Sequence, residues 1–342
     1  MPDPTFEWGP TIARLLGGES LAEADAAAAM REIMDGAATP AQVAGFVVAL
    51  RAKGESVDEL AGLVRTMRQY ALGAPVAGDV LDTCGTGGDR AGTFNVSTAA
   101  ALVCAGAGVA VAKHGNRAAS SRCGSADVLE SLGVKIDLPP PAVEDCIERA
   151  GIGFCFAPVF HPAMRHAGAP RRELGVATIF NFLGPLTNPA GATRQSLGVS
   201  DPVMLPKMVD TLARLGSKHV VAFHGDQGLD ELSTSGPSRV VELKDGTTTE
   251  WTIDPTELGL DAAPLEAIAG GDADDNAAAI RSVLAGDPGP KRDVVILNAA
   301  AGLIASGRVD DMKSGLAMAA EAIDSNGAAR ALDLLVEASN DT

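Results

Sequence analysis

The segment Asp82-Thr83-Cys84-Gly85-Thr86-Gly87-Gly88-Asp89, continued after Arg90-Ala91-Gly92 by Thr93-Phe94-Asn95-Val96-Ser97-Thr98, lies between a short apolar run and an alanine-rich one. A strand ending before Asp82 and a helix opening near Thr93 make this a strand–loop–helix unit. Gly85, Gly87 and Gly88 permit positive φ and close approach, the geometry in which several backbone N–H groups face one anion. Hydroxyls at a helix N-terminus would hold a phosphate from the other side. The glycines alone fit an ordinary turn equally well.

Familiar phosphate loops are excluded by spelling. No lysine follows a glycine, so a Walker A loop is absent, and Gly85-x-Gly87-x-x-Arg90 breaks the dinucleotide pattern.

Working outward, Lys113-His114-Gly115-Asn116-Arg117 and Ser120-Ser121-Arg122-Cys123-Gly124-Ser125 follow a predicted strand over Val109–Ala112. Between Asp82 and Ser125 there are four basic and two acidic residues, inside a chain of net charge −17. Such a local reversal suits a phosphorylated substrate; a solvated basic loop is the bland alternative. A second basic stretch, His161 to Glu173, carries Arg171 and Arg172, either of which would grip a carboxylate bidentately or form a surface ion pair. Thr178–Pro189 reads as a turn-rich connection. Gly228-Leu229-Asp230-Glu231 follows a strand ending at His224, and in a loop both acids would reach hydrated magnesium whose other ligands are phosphate oxygens. Taken alone, the pair reads as a solvated turn.

The first 73 residues are punctuated for helices. Ser20-Leu21-Ala22-Glu23 and Ser56-Val57-Asp58-Glu59 have capping-box spacing, with stops expected at Gly36 and Gly73, and Thr39-Pro40 starts a helix that closes at Gly54. A weaker helix spans Thr11–Leu16. Beyond Val80, apolar runs such as Ile152–Phe156 and Val220–Phe223 alternate with helical stretches at Ser125–Leu132, Pro140–Ala150 and Pro202–Leu215. That alternation predicts βαβ units and a mainly parallel sheet covered on both faces. Arg239–Leu243 and Thr247–Ile253 around Lys244-Asp245-Gly246 read as a hairpin, and the tail from Asp272 as helices. The expected class is α/β: a small helical domain over 1–73, joined by a returning helical segment near 162–190, and a larger domain over 74–342.

Composition narrows the function. The chain has 342 residues, 46% hydrophobic and 21% charged, with 9 Phe, 2 Trp and 1 Tyr, which leaves little for aromatic stacking on single strands. The strong negative charge repels polyanions, so nucleic acid is not an expected partner. In Ala91–Ala112 only Ala99 onward is apolar, too short for a bilayer span, so no membrane is expected. Residues 1–18 show no secretory pattern. Five cysteines without a C-x-x-C fit a reduced, cytoplasmic setting.

The motifs Gly85–Asp89, Asn95–Thr98, Lys113–Arg117 with Ser120-Ser121, Arg171–Gly175, Asn181–Pro189 and Gly228–Glu231, in this order, resemble the anthranilate phosphoribosyltransferases of tryptophan biosynthesis over about residues 5–335. The resemblance implies a nucleoside phosphorylase/phosphoribosyltransferase type of fold, a homodimer, and transfer of phosphoribose from phosphoribosyl pyrophosphate to anthranilate with Mg2+. It implies Gly85, Gly88, Asp89, Thr93, Asn95, Val96, Ser97, Thr98, Lys113, Ser120, Ser121 and Ser125 at the phosphoribosyl pyrophosphate site. Lys113 and Asp89 would act on the chemistry, Gly85, Asn116 and Arg171 would hold anthranilate, and Ser97, Asp230 and Glu231 would serve the metal. His114 reads as a structural imidazole. The alternatives are a pyrimidine nucleoside phosphorylase-like enzyme, separable by base release from thymidine, and a nucleic-acid-binding paralogue without transferase activity.

Overall fold

The structure, a computed structural model, describes residues 6–74, 76–118, 122–225 and 227–341. Four helices, α1 (Trp8–Leu16), α2 (Glu23–Met34), α3 (Pro40–Lys53) and α4 (Val57–Tyr70), form the N-terminal unit. The capping boxes at Thr39 and Ser56 are both closed by reciprocal side-chain and backbone bonds. The one expected at Ser20 is not: Ala22 is the N-cap of α2, and the free amide of Leu21 is taken by Glu59 Oε1 at 2.9 Å. Glu59, fully buried, also accepts from the Ser56 amide at 2.8 Å and from Lys53 Nζ at 2.9 Å. The α4 helix ends at Tyr70, before the expected stop at Gly73, because Ala71 is already extended. Packing is carried by fully buried Phe46, Met30, Ile33, Leu50, Leu60 and Leu63, each worth about 1.5–3 kcal/mol over exposure.

The larger part begins with β1 (Leu81–Gly85), α5 (Val96–Gly106), β2 (Val111–Gly115), α6 (Ser125–Ser131), α7 (Pro140–Ala150) and β3 (Ile152–Phe156). Short helices α8 (Ala157–Phe160), α9 (Arg165–Leu174) and α10 (Phe180–Leu183) follow, and α9 packs back on α2 and α3. The segment read as a turn-rich connection therefore holds a helical turn, and a 3-10 turn over Gly184–Leu186 after it. Then come β4 (Arg194–Gly198), α11 (Met204–Arg214), β5 (His219–Gly225), β6 (Ser238–Lys244) and β7 (Thr247–Ile253). Helices α12 (Ala273–Leu284), α13 (Pro290–Ser306), α14 (Met312–Asp324) and α15 (Gly327–Asn340) close the chain. No helix among the described residues is long and apolar enough to cross a membrane.

The sheet runs β3-β2-β1-β4-β5-β6-β7, parallel through the first five and antiparallel in the last two pairings. The β6–β7 turn, with φ of 49° at Asp245 and 80° at Gly246, has the left-handed pair that a two-residue hairpin needs. Side chains alternate between two cores. Leu81, Val111, Val221 and Phe223 face α5 and α13, whereas Leu197, Val220, Ala222 and Val241 join a core that continues through α11 into the helical bundle. The strand order reverses between β1 and β4. The crevice at the carboxyl ends of strands flanking such a reversal is where open α/β sheets bind ligands.

Candidate active site

Two sequence expectations shift here. The glycine motif does not start after a strand, since Asp82, Thr83 and Cys84 are part of β1, and Lys113 and His114 lie inside β2 rather than after it. Parallel pairing of β2 with β3 extends to Gly115, which carries the ladder past the apolar run that suggested its end. Lys113 consequently becomes a buried cation, 2% exposed, its ammonium held by Thr83 O at 2.5 Å and Ser97 Oγ at 3.3 Å. Burial pulls its pKa down, opposed chiefly by Asp82, whose own carboxyl burial pushes up and whose Oδ1 accepts from the His114 amide.

The loop beyond Gly85 is held from three sides. Thr86 N–H bonds Gly198 O at 3.0 Å, Gly87 N–H bonds Asp230 Oδ2 at 2.7 Å, and Gly92 O accepts from Gly270 N–H at 2.8 Å. Gly87 and Gly88 have φ of 67° and 85°, which glycine adopts without strain. Asn95 occupies the N-cap of α5, with its side chain tied to Cys123 O and Asn276 Nδ2 rather than to its own helix. Val96 is a core side chain, which leaves only its main chain for a ligand. Thr98 Oγ1 is buried and unpartnered. Thr93 pairs with Ala269 in a short antiparallel bridge.

The acids come from the β5 exit. The Leu232 amide and carbonyl clamp Asn298 at 3.1 and 2.7 Å, and this fixes the turn that presents Asp230 and Glu231. Burial, followed by the field of Asp89, pushes the Asp230 carboxyl up to about 7. Burial and then the charges of Asp230 and Asp89 drive Glu231 well above the carboxylate range. Glu231 Oε2 and Asp89 Oδ2 are buried with no partner. Three mutually repelling carboxylates with two idle oxygens fit a divalent cation. Among the described residues no three His, Cys, Asp or Glu side chains converge at metal-ligand spacing, so such a cation would draw most ligands from bound phosphate and water, as magnesium does.

The basic residues divide. Arg117 is neutralised by Asp127 and Glu130 and lies over the Phe156 ring, so its charge is not available to an anion. Arg171, half-buried on α9, stacks on Phe180 at 5.2 Å and forms no ion pair among the described residues, and burial lowers its pKa. Asn116 is exposed at the end of β2, and Ser125, opening α6, donates to its carbonyl at 3.3 Å. Ser120 and Ser121 lie outside the described residues. The His114 and His161 rings lie 5.1 Å apart and tilted at 51°, each with an unpartnered Nε2, and burial holds them neutral with pKa values of about 3 and 4. The sequence did not single out Gly198 and Ser200, at the exit of a strand whose buried Gln195 and Ser196 hide it from hydrophobic patterning.

Residues 77–330 match the glycosyl transferase family, a/b domain, and residues 10–71 the same family's helical bundle domain. The chain is 53% identical over 326 residues to the anthranilate phosphoribosyltransferase of Moorella thermoacetica, covering 95% of this chain and 96% of that protein. It is 54% identical over 332 residues to that of Arthrobacter sp., covering 95% and 94%. Among solved structures, the anthranilate phosphoribosyltransferase of Thermus thermophilus superposes with a TM-score of 0.91 at 48% identity, over 96% of this chain and 99% of that one. The Saccharomyces cerevisiae enzyme in complex with PRPP and Mg does so with 0.88 at 27% identity, over 98% of both.

Proposed function

We infer from its place in the anthranilate phosphoribosyltransferase family, to which this chain belongs, how the site described above performs that family's reaction. The chain transfers the 5-phosphoribosyl group of phosphoribosyl pyrophosphate to the amino group of anthranilate, giving N-(5-phosphoribosyl)anthranilate and pyrophosphate with Mg2+ as cofactor, a step of tryptophan biosynthesis. The observation that carries the residue assignment is the set of Asp89, Asp230 and Glu231 beneath an amide-rich glycine loop at the carboxyl ends of β1, β4 and β5.

In this reading the amides of Gly85–Asp89, the segment Thr93–Thr98 leading into α5, Ser120, Ser121 and Ser125 would enclose the sugar diphosphate, and Ser97, Asp230 and Glu231 would hold magnesium. Magnesium, when bound, supplies neutralisation of the departing diphosphate. Lys113, fixed by Thr83 and Ser97, adds a positive field that needs no rearrangement as charge grows on the leaving group. Asp89, one oxygen of which is taken by the Ala91 amide at 3.3 Å, keeps the other buried and unpartnered, where it would act on the chemistry with Lys113. The arylamine carries its lone pair at neutral pH, so orientation by Gly85, Asn116 and Arg171 replaces a general base. Neutral His114 and His161 take structural places. Arrangement as a homodimer in the cytoplasm, and the division into domains at residues 73 and 74 with the segment near 162–190 returning to the bundle, belong to the same proposal.

The test is loss of anthranilate fluorescence that requires magnesium and phosphoribosyl pyrophosphate together. Release of base from thymidine and phosphate in its place, or tight salt-steep DNA binding without turnover, overturns the assignment.

A further inference from the structure

The Gly87–Gly88 peptide is the loosest link in the loop by its own chemistry. Both residues have positive φ, and nothing beyond their chain neighbours lies within 4 Å of where a Cβ on either would stand, so hydrogen bonds and not side-chain packing orient the plane between them. A trans peptide carries its carbonyl and its N–H on opposite sides. Whatever holds Gly87 O therefore decides where Gly88 N–H points.

Ser200 holds it. Ser200 Oγ donates to Gly87 O at 2.8 Å, lies 3.0 Å from Thr86 Oγ1, and its own amide donates to that Thr86 oxygen at 3.0 Å. The serine proton goes to Gly87 O, the single threonine proton lies between Ser200 Oγ and Gly87 O, and Thr86 Oγ1 accepts from the Ser200 amide. The anchor is rigid, because Val199 before it bonds Phe223 O through its amide at 2.9 Å and accepts from His224 Nδ1 at 2.7 Å through its carbonyl. The preceding peptide is fixed independently by Asp230.

We propose that Ser200 is a positioning residue for diphosphate recognition: its hydroxyl turns the Gly87–Gly88 peptide so that the Gly88 amide, and not the Gly87 carbonyl, is offered to the anion. The proposal rests on the placement of the sugar diphosphate at this loop. A carbonyl facing a phosphate is repelled, whereas an N–H is an anion ligand.

Steady-state kinetics at saturating magnesium test it. Ser200→Ala raises KM for phosphoribosyl pyrophosphate about three- to tenfold, the weight of one neutral hydrogen bond, with kcat and KM for anthranilate within about twofold. The inhibition constant of inorganic pyrophosphate rises by the same factor, and Ser200→Thr restores both. An unchanged KM for the sugar diphosphate, parallel losses for both substrates, or failure of threonine to rescue overturns it. Should the alanine variant not fold, Ser200→Cys, close in shape and a weaker donor, decides by the same split. A wild-type chain without magnesium-dependent turnover of the two substrates defeats the underlying reading instead, before Ser200 enters.

Discussion

The backbone oxygen of Asp230 lies 1.5 Å from the point where a Cβ on Gly198 would stand, and its carboxylate Oδ2 lies 2.2 Å from the corresponding point on Gly85. Two glycines paired in register across β1 and β4 thus leave the space into which the acid-bearing turn settles. Gly198→Ala sets carbon against main chain, which has no rotamer to yield. The expected outcome is a loss of about 1–3 kcal/mol in stability from overpacking. Turnover should fall about a hundredfold, the scale of an ångström-sized misplacement. Urea unfolding and a magnesium titration of the initial rate check it, and a variant with the wild-type metal requirement would show that the turn is placed by other means.

Asp230→Asn with Glu231→Gln removes two carboxyls that burial, and then repulsion from neighbouring carboxylates, pushes up, and with them the charge that draws a cation. The magnesium concentration giving half-maximal rate should rise about tenfold or more. An unaltered metal titration takes these acids out of the metal site.

Arg171 on α9 has no ion-pair partner among the described residues and is poised on Phe180. Arg171→Ala should raise KM for anthranilate about tenfold or more, the value of a charge-assisted hydrogen bond, and leave KM for phosphoribosyl pyrophosphate within about twofold. Equal losses for both substrates contradict its assignment.

His161 stays neutral in the folded chain down to about pH 4, whereas in the unfolded chain its pKa is about 6.5. Below about 6.5 the unfolded state therefore binds a proton that the native state refuses, and stability falls as pH drops toward 4. His161→Gln should flatten the thermal midpoint between about pH 4 and 6.5. A profile as steep as the wild type's places the acid sensitivity elsewhere.

Glu59 binds Leu21, Ser56 and Lys53 in the heart of the bundle. Glu59→Ala strands two amides and a buried ammonium, and about 3–5 kcal/mol is the expected cost in chemical denaturation, as for other broken buried pairs. Glu59→Gln, which keeps an acceptor, should lose less.

What could be read from the residues alone divides along physical lines. Helix starts at Thr39 and Ser56 were legible because the cap is a local contract between residues three apart. Ser20 carries the same spelling and fails, because Glu59, distant in the chain, reaches the Leu21 amide first. The hairpin at Asp245-Gly246 announced itself through its turn. Strand β4 did not, since Gln195 is buried by virtue of a bond to Pro185 O at 2.8 Å that exists only after folding. The loop, the acids and Arg171 stood out by residue type, and their roles rest on the experiments above, whereas the inward burial of Lys113, the neutralisation of Arg117 and the placing of Gly198 and Ser200 depend on which strands become neighbours.

The reversal between β1 and β4 carries a consequence for how the molecule comes into being. As the polypeptide leaves the ribosome, β2 and β3 emerge soon after β1, yet the other edge of β1 has no partner until Gly198 has been made, and the acids at Asp230 and Glu231 arrive later still. Contacts of such separation form slowly, and N-terminal units fold first during synthesis. The helical bundle is therefore an early product, while the pocket, stitched from both sides of the reversal, is among the last parts to be born.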